Sequence, residues 1–214
     1  MLNCATSLWS ADLANLAVEI KRVEAFSERF HLDVADGHYA DTMLFFPDLV
    51  AALRPYTKLP LEVHLITLNP LKWIKPFVES GADTIIFYPD TTPDPAALIA
   101  TIKAAGKQAG VSLRLEDPLD IIEAYWQDLD ILTLMATAHG IKGAEMDESI
   151  PDKIRQARQT MATRNLSTEI EIDGGIRRWS VPLIHSAGAD TIVPGSLIFK
   201  EDPPAMRDWL ASLS

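Results

Sequence analysis

Eight short apolar runs rich in β-branched residues alternate along the chain with eight longer segments of helical period. The runs are Leu2 to Leu8, Phe30 to Ala35, Leu61 to Ile66, Thr84 to Tyr88, Ala109 to Leu113, Ile131 to Ala136, Glu169 to Ile172 and Thr191 to Val193. The predicted helices between and after them are Ala11 to Phe26 (Ser10 as N-cap), Asp48 to Leu53, Pro70 to Glu79, Pro95 to Ala105, Leu119 to Trp126, Ile150 to Ala162, Trp179 to Ala187 and Pro204 to Leu213. Nearly continuous apolar strands separated by helices imply a parallel sheet covered on both faces. Eight such units are the number that closes a (β/α)8 TIM barrel. A doubly wound open sheet is the rival, but no glycine-rich turn follows the first strand. Ser80-Gly81-Ala82-Asp83 and Ser186-Ala187-Gly188-Ala189-Asp190 read as recurring helix-to-strand turns. No linker or low-complexity segment divides the 214 residues, so one barrel domain over 1–214 is expected.

The function classes this excludes follow from charge and sulfur. A net charge of −11 argues against a nucleic-acid surface, yet leaves room for a small phosphorylated substrate in a local positive field. No apolar run approaches membrane-spanning length, and the N-terminus lacks a basic leader and carries Asp12. The single cysteine, Cys4, reads as core filler and fits a cytoplasmic, reducing setting. Phe45 and Phe46 read as exposed apolar residues open to a subunit contact or a lid, and a homo-oligomer is expected.

In a barrel of this kind, chemistry sits at the C-terminal ends of the strands. On the second strand His31 and Asp33 are two apart and share a face. His64 interrupts the apolar third strand, and Asp173 ends the seventh before a Gly-Gly turn. Alone, each has a plain reading: a hydrogen-bonded core histidine, or turn chemistry, as for Asp36-Gly37. Together, two histidines and two carboxylates converge on one barrel mouth, where a divalent cation satisfies them all. Such a donor set suits zinc first, with Fe(II), Mn(II) or Co(II) as alternatives. Gly174-Gly175 and Gly195-Ser196 follow strands seven and eight, the usual phosphate cradle of the fold.

These residues resemble the ribulose-phosphate 3-epimerase family, the ketose-phosphate 3-epimerases, along the whole chain. Ser7-Leu8-Trp9-Ser10-Ala11-Asp12 is similar to the family's Ser-Ile-Leu-Ser-Ala-Asp. His31-Leu32-Asp33-Val34-Ala35-Asp36-Gly37 resembles its His-Val-Asp-Val-Met-Asp-Gly, and Val63-His64-Leu65-Ile66 its Val-His-Leu-Met. Ile172-Asp173-Gly174-Gly175 and Gly195-Ser196 match its Val-Asp-Gly-Gly and closing Gly-Ser. The resemblance implies one divalent ion per chain on His31, Asp33, His64 and Asp173, with Asp33 and Asp173 also the acid/base pair. It further implies that Ser7, His64, Met135, Gly174, Gly175, Gly195 and Ser196 contact a small phosphorylated sugar. The expected reaction interconverts D-ribulose 5-phosphate and D-xylulose 5-phosphate.

The departures surround the substrate. Two of the family's methionines are Ala35 and Ile66, leaving Met135 as the third. The usual fourth-strand histidine is Tyr88, the usual Leu-Asn-Pro is Leu113-Arg114-Leu115, and the sixth loop reads Ala138 to Ala144. Lys142 or Arg114 is a candidate for an added positive charge. Another ketose phosphate, such as allulose 6-phosphate, or a catalytically silent sugar-phosphate-binding barrel are the alternatives. A decarboxylase or aldolase is disfavoured, because no strand centre carries a lysine.

Overall fold

The computed structural model describes residues 2–138 and 143–213. Eight strands, β1 (Asn3–Ser7), β2 (Arg29–Ala35), β3 (Leu61–Ile66), β4 (Thr84–Phe87), β5 (Gln108–Leu113), β6 (Ile131–Met135), β7 (Glu169–Asp173) and β8 (Thr191–Val193), pair in chain order into a closed barrel. Every pair is parallel, and β1 pairs with β8 to complete the ring. The helices α1 (Leu16–Val23), α2 (Pro47–Leu53), α3 (Leu71–Ser80), α4 (Pro95–Ala104), α5 (Ile150–Arg164), α6 (Ser180–Ala187), α7 (Ser196–Phe199) and α8 (Pro203–Ala211) fill every crossover but that from β5 to β6, and the C-terminus.

Local chemistry explains these boundaries. Asp94 and Asp202 each cap a helix that opens with proline, their carboxylates accepting from Ala97 N and Ala205 N. Gly81 and Gly188 close α3 and α6 in the left-handed region. The aspartates that follow explain why the Gly-Ala-Asp turn recurs. Asp83 accepts the Leu61 amide at 2.9 Å and Asp190 the Ile170 amide at 2.8 Å, so each turn also fastens the start of the neighbouring strand.

Two predicted helical features differ. Ser10 does not cap α1; Leu8–Ser10 forms a 3-10 turn. Asp12 then accepts from Ala14 N and Asn15 Nδ2, which delays the helix to Leu16. Leu119 to Trp126 forms two short 3-10 turns instead of a helix. Leu119, Ile122 and Trp126 still face inward, because a 3-10 turn satisfies the same three-residue apolar spacing.

The main apolar core lies between the strands and their helices, where Phe30, Leu32 and Val34 of β2 meet Leu65, Ile85 and their neighbours. Phe45 is buried in it, contrary to its exposed reading, whereas Phe46 remains exposed. Cys4 is fully buried, and burial pushes its thiol up to about 12. No described helix is long and apolar enough to cross a membrane.

Candidate active site

Strands β2 and β7 are not neighbours in the sheet, so contacts between their side chains must cross the barrel interior. Arg29 and His31 of β2 make such contacts with Glu169, Glu171 and Asp173 of β7, and Arg29, His31 and Asp33 also meet Glu62 and His64 of the adjacent β3. Alternation does the rest. Every second residue of these strands points inward, while Phe30, Leu32 and Val34 point to the helices.

The upper tier is the set expected from sequence. His31 Nε2 stands 3.3 Å from Asp33 Oδ1 and 3.8 Å from Asp173 Oδ2. His64 Nδ1 stands 3.7 Å from Asp33 Oδ1 and 3.8 Å from Asp173 Oδ2. One donor atom from each of the four lies within 4.8 Å of the others. Neither His31 Nε2 nor either ring nitrogen of His64 finds a hydrogen-bond partner, although both rings are fully buried. Orphaned ring nitrogens aimed at two carboxylates, in a nitrogen–oxygen donor set, fit a divalent ion.

The lower tier was not anticipated. Glu62 Oε1 accepts from His31 Nδ1 at 2.8 Å, and Glu62 Oε2 pairs with Arg29 Nε at 2.6 Å. Arg29 also binds Glu169 and Glu171, and Thr133 donates to Glu171 at 2.9 Å. The sequence signal was the same two-residue spacing read one step earlier: Arg29 before His31, Glu62 before His64, Glu171 before Asp173.

Electrostatics separate the two aspartates. Burial raises Asp33, but the imidazoles of His31 and His64 outweigh it and hold the carboxyl well below its usual range. Burial raises Asp173 to about 7; His31 opposes this, while Asp33 and Glu171 add to it. Burial lowers His31, yet Asp33, Glu62 and Asp173 more than reverse it, so its proton is held well above the usual histidine range. Burial keeps His64 below that range.

Above the four residues opens a cavity of about 450 Å³, lined by Ser7, Asp33, Met135, Asp173, both glycine turns and Ser196. Ser7 Oγ donates to Asp33 Oδ2 at 3.2 Å. Gly175 has φ +62°, and a Cβ there would stand 2.3 Å from Met146 N, so the turn tolerates no side chain. His64 lies behind the cavity wall under Tyr88, whose ring stacks on it at 5.2 Å. Among the described residues, the cations lining the cavity are Arg177 and Lys200. Arg114 instead chelates Asp117 and reaches Asp90, and Lys142 lies outside the described residues.

Known proteins resemble the chain in sequence and in fold. A relative from Chlamydia pneumoniae named ribulose-phosphate 3-epimerase is 38% identical over 210 residues, covering 97% of this chain and 92% of its own length. One of the same name from Bacillus subtilis is 37% identical over 202 residues, with 93% of each chain covered. In fold, 3-hexulose-6-phosphate synthase from Salmonella typhimurium matches with a TM-score of 0.71 over 99% of this chain and 98% of its own, at 18% identity. A 3-keto-L-gulonate-6-phosphate decarboxylase from Vibrio cholerae matches at 0.73 over 99% and 96%, at 15% identity; at such identities the likeness is one of fold alone. The model of the ribulose-phosphate 3 epimerase family matches residues 3–199, nearly the whole barrel. With those relatives sharing more than a third of its residues, the chain belongs to the ribulose-phosphate 3 epimerase family and is an enzyme of the epimerase class.

Proposed function

We propose that the chain epimerises a ketose phosphate at C3, with D-ribulose 5-phosphate as the substrate and D-xylulose 5-phosphate as the product. The observation that carries this reading is the placement of Asp33 and Asp173, which approach one imidazole from β2 and β7, with Asp33 held well below the usual carboxylate range and Asp173 raised to about 7. Inverting a carbon beside a carbonyl removes a proton from one face and returns one to the other. That requires one ionised and one protonated group flanking a planar enediolate.

The ionised Asp33 takes the C3 proton, and the electron pair of the broken C–H bond moves into the enediolate. Asp173 delivers its proton to the opposite face of C3, which inverts the centre. In the reverse direction the two exchange roles. Ser7, bonded to Asp33, fixes that carboxylate and meets the substrate. A divalent ion on His31, Asp33, His64 and Asp173, zinc by its donor set, would supply Lewis-acid stabilisation of the charge developing on the substrate oxygens. Gly174-Gly175 and Gly195-Ser196 hold the phosphate with backbone N–H groups, and Met135 packs against the sugar. The buried single cysteine supports a cytoplasmic setting.

A second reading keeps the chemistry and changes the sugar. Tyr88 stacks on His64, Tyr39 packs on Tyr88 at 5.0 Å, and Ala35 and Ile66 join them where the resemblance expects a histidine and two methionines. A mouth repacked on one side supports another ketose phosphate, such as allulose 6-phosphate. Proton NMR in D2O separates the two. Loss of the C3 proton signal of ribulose 5-phosphate, with xylulose 5-phosphate appearing, supports the first reading. Exchange only in the hexulose phosphate supports the second, and exchange in neither overturns both.

A further inference from the structure

The buried layer beneath the four donor residues is built around one bond, His31 Nδ1 to Glu62 Oε1 at 2.8 Å. Neither residue has any exposed surface, and the second oxygen of Glu62 stands 2.6 Å from the Arg29 guanidinium. A carboxylate paired on one oxygen with a guanidinium accepts on the other, so Nδ1 carries the hydrogen. The other nitrogen, Nε2, makes no hydrogen bond and faces Asp33 and Asp173. Glu62 is fixed in turn, because its second oxygen is taken by Arg29.

His31, Glu62 and Glu171 also form a cluster of donors close enough to hold an ion. Arg29 fills that role, since its guanidinium bridges Glu62 and Glu171. Glu171 reaches His31 Nδ1 only at 4.0 Å and is satisfied by Arg29 and Thr133. The two glutamates therefore share burial and the same arginine, but one of them grips the imidazole and the other does not.

We infer that Glu62 is a positioning residue for the ion site: it fixes the tautomer and ring orientation of His31 so that Nε2 faces the ion. Arg29 serves to hold Glu62 in place. This rests on the reading that the four upper residues bind a divalent ion, and it deepens that reading by assigning the layer below.

The matched pair Glu62→Gln and Glu171→Gln tests it, using Co2+ titration of the stripped full chain against a chromogenic chelator. Outer hydrogen-bond partners of metal ligands typically contribute about 10–100-fold in affinity. Glu62→Gln should therefore bind Co2+ about 10–100-fold more weakly and change the visible cobalt spectrum. Glu171→Gln should keep the wild-type spectrum and an affinity within about threefold. Equal losses in both variants would make the layer merely structural and overturn the inference, as would a Glu62→Gln variant that binds like wild type. If Glu62→Gln does not fold, nitrogen-15 NMR of the unaltered protein with Zn2+ decides. Nδ1 protonated and Nε2 ligated supports the inference; the opposite tautomer overturns it. A wild-type chain that takes up neither ion overturns the ion-site reading and this one with it, whereas normal uptake with indifferent variants sinks only the role of Glu62.

Discussion

Asp33 and Asp173 reach toward the same nitrogen of His31, at 3.3 and 3.8 Å, yet one is held ionised and the other holds a proton near neutrality. Two like carboxylates in one buried site cannot both ionise cheaply. Asp33 takes the greater share of the imidazole attraction, and Asp173, facing Glu171 as well, takes the proton.

Asp173→Asn should keep the fold and lose turnover by about 10²–10⁴-fold, the usual range for a general acid or base. Far-UV circular dichroism checks the fold, and C3 proton exchange in D2O checks the chemistry. A variant exchanging at near wild-type rate would remove Asp173 from the reaction.

Ion binding should depend steeply on pH. Protons compete for His31, which is held above the usual histidine range and must free Nε2 to bind an ion. Affinity for Co2+ should therefore climb between pH 6 and pH 8, by up to about tenfold per pH unit for each proton displaced. Binding should saturate at about one ion per chain, and a chelator should abolish exchange at C3. Affinity that stays flat across this range would mean that His31 yields no proton to the ion.

The glycine turn after β7 should be far less tolerant than an ordinary glycine turn. Gly175→Ala meets the Met146 backbone as well as a positive φ, whereas a Cβ at Gly106, also at positive φ, meets nothing within 4 Å. Gly106→Ala should be destabilising by only about 1 kcal/mol. Gly175→Ala should exceed about 2 kcal/mol, a melting-temperature drop of roughly 4–8 °C, with KM raised for the phosphorylated substrate. Equal drops in the two variants would refute the clash.

Cys4 should make stability fall in alkali. Its thiol goes from 9.0 in the unfolded chain to about 12 in the fold, chiefly through burial, so the fold favours the neutral form. Unfolding then releases a proton between those values, and stability declines by about 1.4 kcal/mol per pH unit across that window. Urea melts at pH 8, 9 and 10 should show the decline, and Cys4→Ala should flatten it. The same slope in both proteins would assign it to other groups.

Strand positions were legible because both faces of each strand are buried, which leaves a plain apolar signature. The four upper donors were legible for the opposite reason: each breaks that signature at a strand end. Arg29, Glu62 and Glu171 break it too, but deeper in the barrel, where nothing in the linear chain says that an arginine on β2 will meet a glutamate from β7. Helix starts were harder. The Asp12 turn before α1 and the two 3-10 turns after Pro118 share the spacing of a helix over so few residues that periodicity alone does not separate them. Nothing in the linear chain sets Arg177 and Lys200 apart from other cations, and only the closed ring brings them to the cavity.

The inward alternation on β2, β3 and β7 also guards the fold against its nearest errors. Slipping β2 by one residue would turn Phe30, Leu32 and Val34 into the lumen and push Arg29, His31 and Asp33 against the helices. Glu62, Glu169 and Glu171 would then sit in the barrel without their cation. A shifted barrel thus strands several buried charges at once, so a chain that closes in the wrong frame gains no resting place, and one that closes correctly arrives with its reactive groups already aligned.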